Sequence, residues 1–387
     1  VSDPAFVEDG GWARRIGARL DQVVDEGRWR DPRSFDARGP AGALVDEGRD
    51  AVSFASNDYL GLSLHPAVVA AAHEALERWG AGAGASRLVT GSRPVHHDLE
   101  EALAEWRGTE AAVVFPTGFA ANLGVLSVLG TPGTRVFSDE LNHASIIDGC
   151  RLSRADVSIY RHADPDHLAT LLARPGGPAA VVTDTVFSMD GDAAPLVDLV
   201  ALCRRFGALL VLDEAHAVLG PHPGPEVTEG LEVVRVGTLS KTLGALGGFV
   251  AGSRQVAELL VNLARPYIFT TALTPADAAA ALAAVGVVRS DEGSVLLARL
   301  AAHVERVAPG HRSPIVPVVL GSERRALAAS ASLLHQGLWV PAIRPPTVPE
   351  GTSRLRVTLS AAHTDADVGR LVAALGALGE LETAGAQ

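Results

Sequence analysis

Apolar residues along this chain follow two alternating patterns. Short, uninterrupted β-branched runs occur at AAVVF (Ala111–Phe115), AAVVTD (Ala179–Asp184), ALLVLD (208–213) and VVRVGT (Val233–Thr238). Longer segments with helical spacing separate them. Strands that are apolar on both faces belong to a mostly parallel sheet covered by helices on each side. Upstream lie an amphipathic stretch (12–29), a β-like piece (51–55), SNDYLG (56–61) and a helix-like run (Pro66–Trp79). GAGAGASRLVTGS (80–92) holds too much glycine for a helix or a strand, and predicts a loop laid closely on its surroundings. After about Pro275 the alternation thins. A helical segment there leads to IVPVVL (315–320), GLWVPAI (337–343), RLRVTLS (354–360) and a last helix from about Thr364. The pattern predicts an N-terminal segment (1–55), a large α/β domain (56–275) and a smaller α+β C-terminal domain (276–387).

Composition narrows the class. The chain has 387 residues, 47% of them hydrophobic and 20% charged, which is ample material for more than one lobe. Its net charge is −12 with no basic run, so a nucleic-acid or anionic-membrane partner is not expected. Residues 1–11 are polar and acidic rather than signal-like. The most apolar stretch, 272–288, is alanine-rich, carries Asp277 and reads as a packed helix rather than a membrane span. Cys150 and Cys203 lack metal-like spacing and read as thiols in a reducing compartment, placing the protein in the cytoplasm. His96 and His97 have no second ligand pair spaced to help them, so no metal site is expected.

One residue changes the picture. Of 33 basic residues only Lys241 is a lysine. Arginine can supply a surface charge or a salt bridge, but a guanidinium stays protonated and cannot serve as a nucleophilic amine. Lys241 follows the strand end VVRVGT, with Thr238 and Ser240 beside it. Asp213 closes the strand ALLVLD, with His216 three residues on. In a parallel sheet, ligands sit beyond the carboxyl ends of the strands. An amine, a carboxylate able to pair with a pyridinium, and hydroxyls with backbone N–H groups for a phosphate are what pyridoxal phosphate (PLP) requires. DEAH and SKT also suggest a nucleotide-hydrolysis site. A P-loop needs glycines where Ser240 and Arg235 stand, and the order of the two boxes is inverted, so that reading fails. The glycines of GALGG (244–248) read as close packing.

T-x-S-K-x-x-G preceded by D-E-A-H resembles the α-oxoamine synthases, PLP enzymes of fold type I, the aspartate-aminotransferase-like fold. SNDYLGL (56–62), TGFAAN (117–122), NHAS (142–145), FSMDGD (187–192) and SAAHT (360–364) extend the likeness over nearly the whole chain. The resemblance implies that Lys241 holds the cofactor covalently, Asp213 pairs with its ring nitrogen, His216 bonds its phenolic oxygen and His143 stacks on its face. It implies that Gly118 and Phe119 offer N–H groups to the phosphate, with Thr238 and Ser240 adding hydroxyls and Ser188 completing the shell. Arg356 and Asn57 would receive a substrate carboxylate, and Thr347 and Arg30 match substrate-contacting positions. It further implies a homodimer with active sites at the interface, where Thr270 or Thr271 reaches the neighbour's phosphate. Within the family, 342–363 and RSDEG (289–293) are most similar to the branch that joins L-alanine to a pimeloyl thioester in biotin synthesis; glycine-using branches, such as the one that transfers acetyl groups, are the alternative. The chain departs from the family pattern after His216, where DEAHAVLGPHPGPE is shorter than usual, and at Asp184–Thr185, where an acidic residue and a glycine are common.

Overall fold

The four expected strands join three that were not expected, Arg135–Asp139, Asp156–Tyr160 and Gly248–Gly252, in a seven-stranded sheet. Its order is Ala111–Phe115, Gly248–Gly252, Val233–Thr238, Leu209–Asp213, Ala179–Asp184, Arg135–Asp139 and Asp156–Tyr160. Gly248–Gly252 runs antiparallel to both neighbours, and the remaining central pairs are parallel. The computed structural model describes residues 11–384, so most of the polar opening and the last three residues of the expected small domain lie outside that range. Val181, Val182, Leu210, Leu212 and Val234 are fully covered, as a sheet with helices on both faces requires.

A three-stranded antiparallel sheet (Ile315–Gly321, Ser353–Thr358, Ala342–Ile343) forms the C-terminal lobe with the helices Asp291–Val307, Glu323–His335 and Asp365–Ala384. The N-terminal strands Phe35–Ala37, Ala41–Leu44 and Arg49–Ser53 form a further sheet, and Leu338–Trp339 joins it in parallel to Arg49–Ser53. The N-terminal strands thereby bond directly to a C-terminal segment. The amphipathic stretch is helical over Trp12–Asp25 and buries no residue. The glycine-rich segment is a loop through Ser86 and then one π-helical turn, Arg87–Gly91. Buried Arg87 stabilises this turn through a two-pronged ion pair with Glu100, both contacts 2.9 Å, which glycine content alone does not reveal.

The glycines after Lys241 act as packing residues. Gly244 adopts φ +63°, and a Cβ there would overlap the backbone of Ser63. Gly248 lies against the start of the helix Gly118–Leu129, where an added Cβ would overlap the backbone nitrogen of Gly118. Gly248→Ala is therefore expected to lower the unfolding free energy in a urea titration by about 1–3 kcal/mol, the usual cost of overpacking. An unchanged midpoint would contradict this packing account.

Candidate active site

Lys241, Asp213, His216, His143, Gly118, Phe119, Thr238 and Ser240 line one cleft of about 220 Å³, together with Thr117, Asn122, Ser145 and Asp184. Three strand ends and two helix starts build it. Asp213 terminates Leu209–Asp213, Asp184 terminates the adjacent parallel strand, and Thr238 terminates the next on the other side. Lys241 follows in a turn closed by Leu239 N–H to Gly247 O (2.9 Å) and Gly244 N–H to Lys241 O (3.0 Å).

At the phosphate end, Thr117 caps the helix Gly118–Leu129 and accepts the Ala120 N–H at 3.0 Å. The first N–H groups of a helix have no intrahelical acceptor, so those of Gly118 and Phe119 remain available for an anion. Thr238 Oγ1 and Ser240 Oγ lie 2.7 Å apart beside them. At the opposite end, Asp213 accepts from Asn122 Nδ2 (2.6 Å) and from the Ala215 N–H (2.9 Å). Asn122 also donates to Ser145 Oγ (2.8 Å), which contacts His143 Nδ1 at 2.7 Å. The buried Asn122 Oδ1 has no partner among the described groups.

Charge states follow from burial. Burial lowers the pKa of Lys241, opposed by the carboxylates Asp213 and Asp184, with Arg356 adding to the lowering. His143 is lowered by burial, and its Nδ1 accepts the Ser145 N–H as a helix cap. His216 is pushed well below the ordinary imidazole range by burial and then by Lys241, Arg356 and His143. Its Nδ1 lies 2.5 Å from the Tyr59 hydroxyl. Tyr59 is also held protonated by burial, and its hydroxyl lies between His216 Nδ1 and Asn57 Oδ1, leaving His216 Nε2 free for a ligand. Asp184 is raised well above the carboxylate range by burial and by neighbouring Asp213, and it accepts the His143 N–H at 2.7 Å.

Arg356 adjoins this group through Tyr59 and Asn57. Its Nε donates to Ser188 O (2.6 Å), Nη1 to Thr358 Oγ1 (2.9 Å) and Nη2 to Asn57 Oδ1 (3.1 Å). Tyr59 Oη lies 3.2 Å from the same Asn57 oxygen. The structure thus brings Arg356, Asn57 and Ser188 together, with Ser188 contributing its carbonyl. Arg30, Thr347, Thr270 and Thr271 are exposed and are not among the residues lining the cleft. His96 is structural: Nε2 contacts Leu273 O at 2.8 Å, and Nδ1 accepts the Arg93 N–H at 2.9 Å. Arg344 bonds Gly27 O at 3.2 Å. Among the described residues, no group of three His, Cys, Asp or Glu side chains could hold a metal ion.

Two contributors are missed by motif reading. Tyr59 and Asn122 lie inside SNDYLGL and TGFAAN but carry no role there. Asn122 stands four residues after Gly118, hence on the same helix face; nothing local marks Tyr59. The segment after His216 is tied to the sheet by charged contacts. Glu214 lies in a buried cluster with Arg235 (2.5 Å), Arg107 (3.5 Å) and His222 (3.8 Å), while Arg235 also holds Pro223 O at 2.5 Å. Burial opposes the charge of Glu214, but these cations outweigh it and pull the carboxyl down to about 2.

Residues 49–375 match the family model for class I and II aminotransferases. The 8-amino-7-oxononanoate synthase of Anaeromyxobacter dehalogenans (strain 2CP-1) is 52% identical over 385 residues, covering 94% of this chain and 95% of its own. A high-resolution structure of SPT with its PLP internal aldimine superposes with a TM-score of 0.86 at 32% identity, covering 95% of this chain and 97% of that one. The 8-amino-7-oxononanoate synthase of Francisella tularensis gives a TM-score of 0.72 at 25% identity, covering 87% and 99%. The chain belongs to the class I and II aminotransferase family, and its mostly parallel sheet with a smaller C-terminal α+β lobe is the fold type I arrangement.

Proposed function

We propose that this chain catalyses the decarboxylative condensation of L-alanine with a pimeloyl thioester, giving 8-amino-7-oxononanoate, carbon dioxide and the free thiol on the route to biotin. The observation that carries the reading is the joint placement of Lys241, Asp213 and His216 in one cleft whose Arg356 neighbour suits a carboxylate. Relatives of that activity at about half identity support the choice of substrates.

The cleft fits PLP. The N–H groups of Gly118 and Phe119 with Thr238 and Ser240 would hold its phosphate, Asp213 its ring nitrogen, His216 Nε2 its phenolic oxygen, His143 its face and Lys241 Nζ its aldehyde carbon. Bound there, the group supplies an electron sink for negative charge at the amino acid's α-carbon. Arg356 holds the alanine carboxylate with donors not engaged by Ser188, Thr358 and Asn57. Lys241, lowered from its ordinary pKa by burial, takes the Cα proton at Nζ. The α-carbon then displaces the thiol from the thioester carbonyl, and the alanine carboxylate departs as carbon dioxide. Lys241 returns a proton to the same carbon before the amino ketone leaves. Arg356→Lys keeps the charge but loses the planar fork. It is expected to raise the KM for alanine on the order of 10²-fold, from about 2–3 kcal/mol of lost pairing. A KM within twofold of the parent would remove Arg356 from this role.

The same reading takes the protein as a cytoplasmic homodimer with its sites at the subunit interface. Exposed Thr270 and Thr271 in one chain, next to exposed Phe269, support a covering partner. Unpaired Cys150 and Cys203 support a reducing compartment. The division into residues 1–55, 56–275 and 276–387 belongs to this reading too. The substrate test is an assay of the PLP-loaded protein with pimeloyl-CoA and alanine, glycine or serine in turn, following free thiol and carbon dioxide. Alanine should give one equivalent of each; turnover with glycine or serine alone would overturn the substrate assignment.

A further inference from the structure

His162, which no motif marks, occupies the turn after the strand Asp156–Tyr160 and bridges two carboxylates. Its Nδ1 lies 3.0 Å from Asp139 Oδ1, and its Nε2 lies 2.7 Å from Asp192 Oδ2. Asp139 is buried and accepts two further bonds, from the Leu141 and Ala163 N–H groups at 2.9 Å each. The His162 backbone N–H donates to Glu140 Oε1 (2.9 Å), and the adjacent Arg161 is paired with Asp164 (2.6 Å). The Phe187 ring meets the imidazole edge-on at 4.4 Å. Hydrogen bonds donated to Asp139 and Asp192 raise the imidazole pKa to about 10, against the effect of burial. The ring is therefore a cation throughout the physiological range, and both nitrogens donate.

Asp192 ends the loop 187–192, which is closed internally by Phe187 N–H to Asp192 O (2.9 Å) and Gly191 N–H to Phe187 O (2.8 Å). The other side of that loop grips the strand Ser353–Thr358. Ser188 O receives Arg356 Nε at 2.6 Å, Asp190 pairs with Arg354, and a Cβ on Gly191 would overlap the carbonyl of Ile315. Resting on the reading of Arg356 as the carboxylate clamp, we infer that His162 is a positioning residue: by tying Asp192 to Asp139 it fixes the loop whose Ser188 carbonyl orients the Arg356 guanidinium. His162 is not among the residues lining the cleft, so its loss should act on amino-acid binding and spare cofactor retention.

The test uses the PLP-loaded protein with the amino acid that the parent turns over, so that an alanine-to-glycine reassignment would correct the substrate without touching this inference. His162→Gln, which cannot donate from two opposed nitrogens, should raise the amino-acid KM about tenfold. It should leave kcat within twofold and PLP retention unchanged. Amide exchange at Phe187 and Gly191, read without turnover, should quicken about tenfold. Should His162→Gln fail to fold, Asp192→Asn removes one of the two anchors and should move KM and exchange the same way, about threefold. Unchanged KM and exchange in the folded variant would overturn the inference. So would a parallel fall of kcat, PLP retention and thermal stability, which marks a merely structural role.

Discussion

Replacing Lys241 with alanine is expected to reduce turnover by 10⁴-fold or more while the protein stays folded. General acid–base catalysis by a placed side chain contributes up to about 10⁴-fold. Lys241 is assigned both the covalent hold on the cofactor and the Cα proton transfer, so the loss should not fall below that figure. No second amine can substitute, because every other basic side chain outside the histidines is an arginine. Lys241 sits in a turn held by backbone bonds from Leu239, Gly244 and Ala245, none of which needs its side chain. Far-UV circular dichroism should therefore match the parent. Small primary amines added to the solution should restore part of the activity, since the cleft opens where the side chain is removed. Lys241→Arg should be as inactive as Lys241→Ala, and activity within a hundredfold of the parent in either variant would refute the assignment.

Asp213→Asn is expected to keep most cofactor binding and to lose roughly 10²–10⁴-fold in turnover. Removing one partner of a buried charge pair costs about 3–5 kcal/mol, and each 1.36 kcal/mol is tenfold in rate. Asp213 is buried and receives Asn122 and the Ala215 N–H, so its carboxylate is fixed in direction before any ligand arrives. An amide there cannot stabilise a protonated ring nitrogen, and Asn122 would face a second amide instead of an anion. The specific readout is exchange of the alanine α-hydrogen with solvent deuterium, without any thioester present. That exchange should fall in proportion to turnover. An unchanged exchange rate with diminished turnover would move the role of Asp213 to a later step.

How much of this was legible beforehand depends on the range over which each feature is specified. Lys241, Asp213 and His216 stand within a few residues of strands recognisable from their own β-branched runs, so local reading places them at one sheet edge. Gly118 and Phe119 come only from the family resemblance of TGFAAN, and the helix start that frees their N–H groups is seen in the fold. The strand Gly248–Gly252 was hidden, because GALGGFVAG looks like packing or turn sequence and becomes a strand only between two apolar neighbours. The pairing of Leu338–Trp339 with Arg49–Ser53 spans most of the chain, and no periodicity encodes a partner. Tyr59 and His162 are of the same kind: each acts through residues that only the tertiary fold brings near. Thr270 and Thr271 pose a different limit, since a role toward a neighbouring subunit leaves them simply exposed in one chain.

The most direct measurement is reduction of the PLP-loaded protein with borohydride, followed by peptide mapping. The account requires a stable pyridoxyl adduct on the peptide carrying Lys241 and on no other. Reduced protein with full cofactor content but an unmodified Lys241 would contradict it, and with it the reading of the whole cleft.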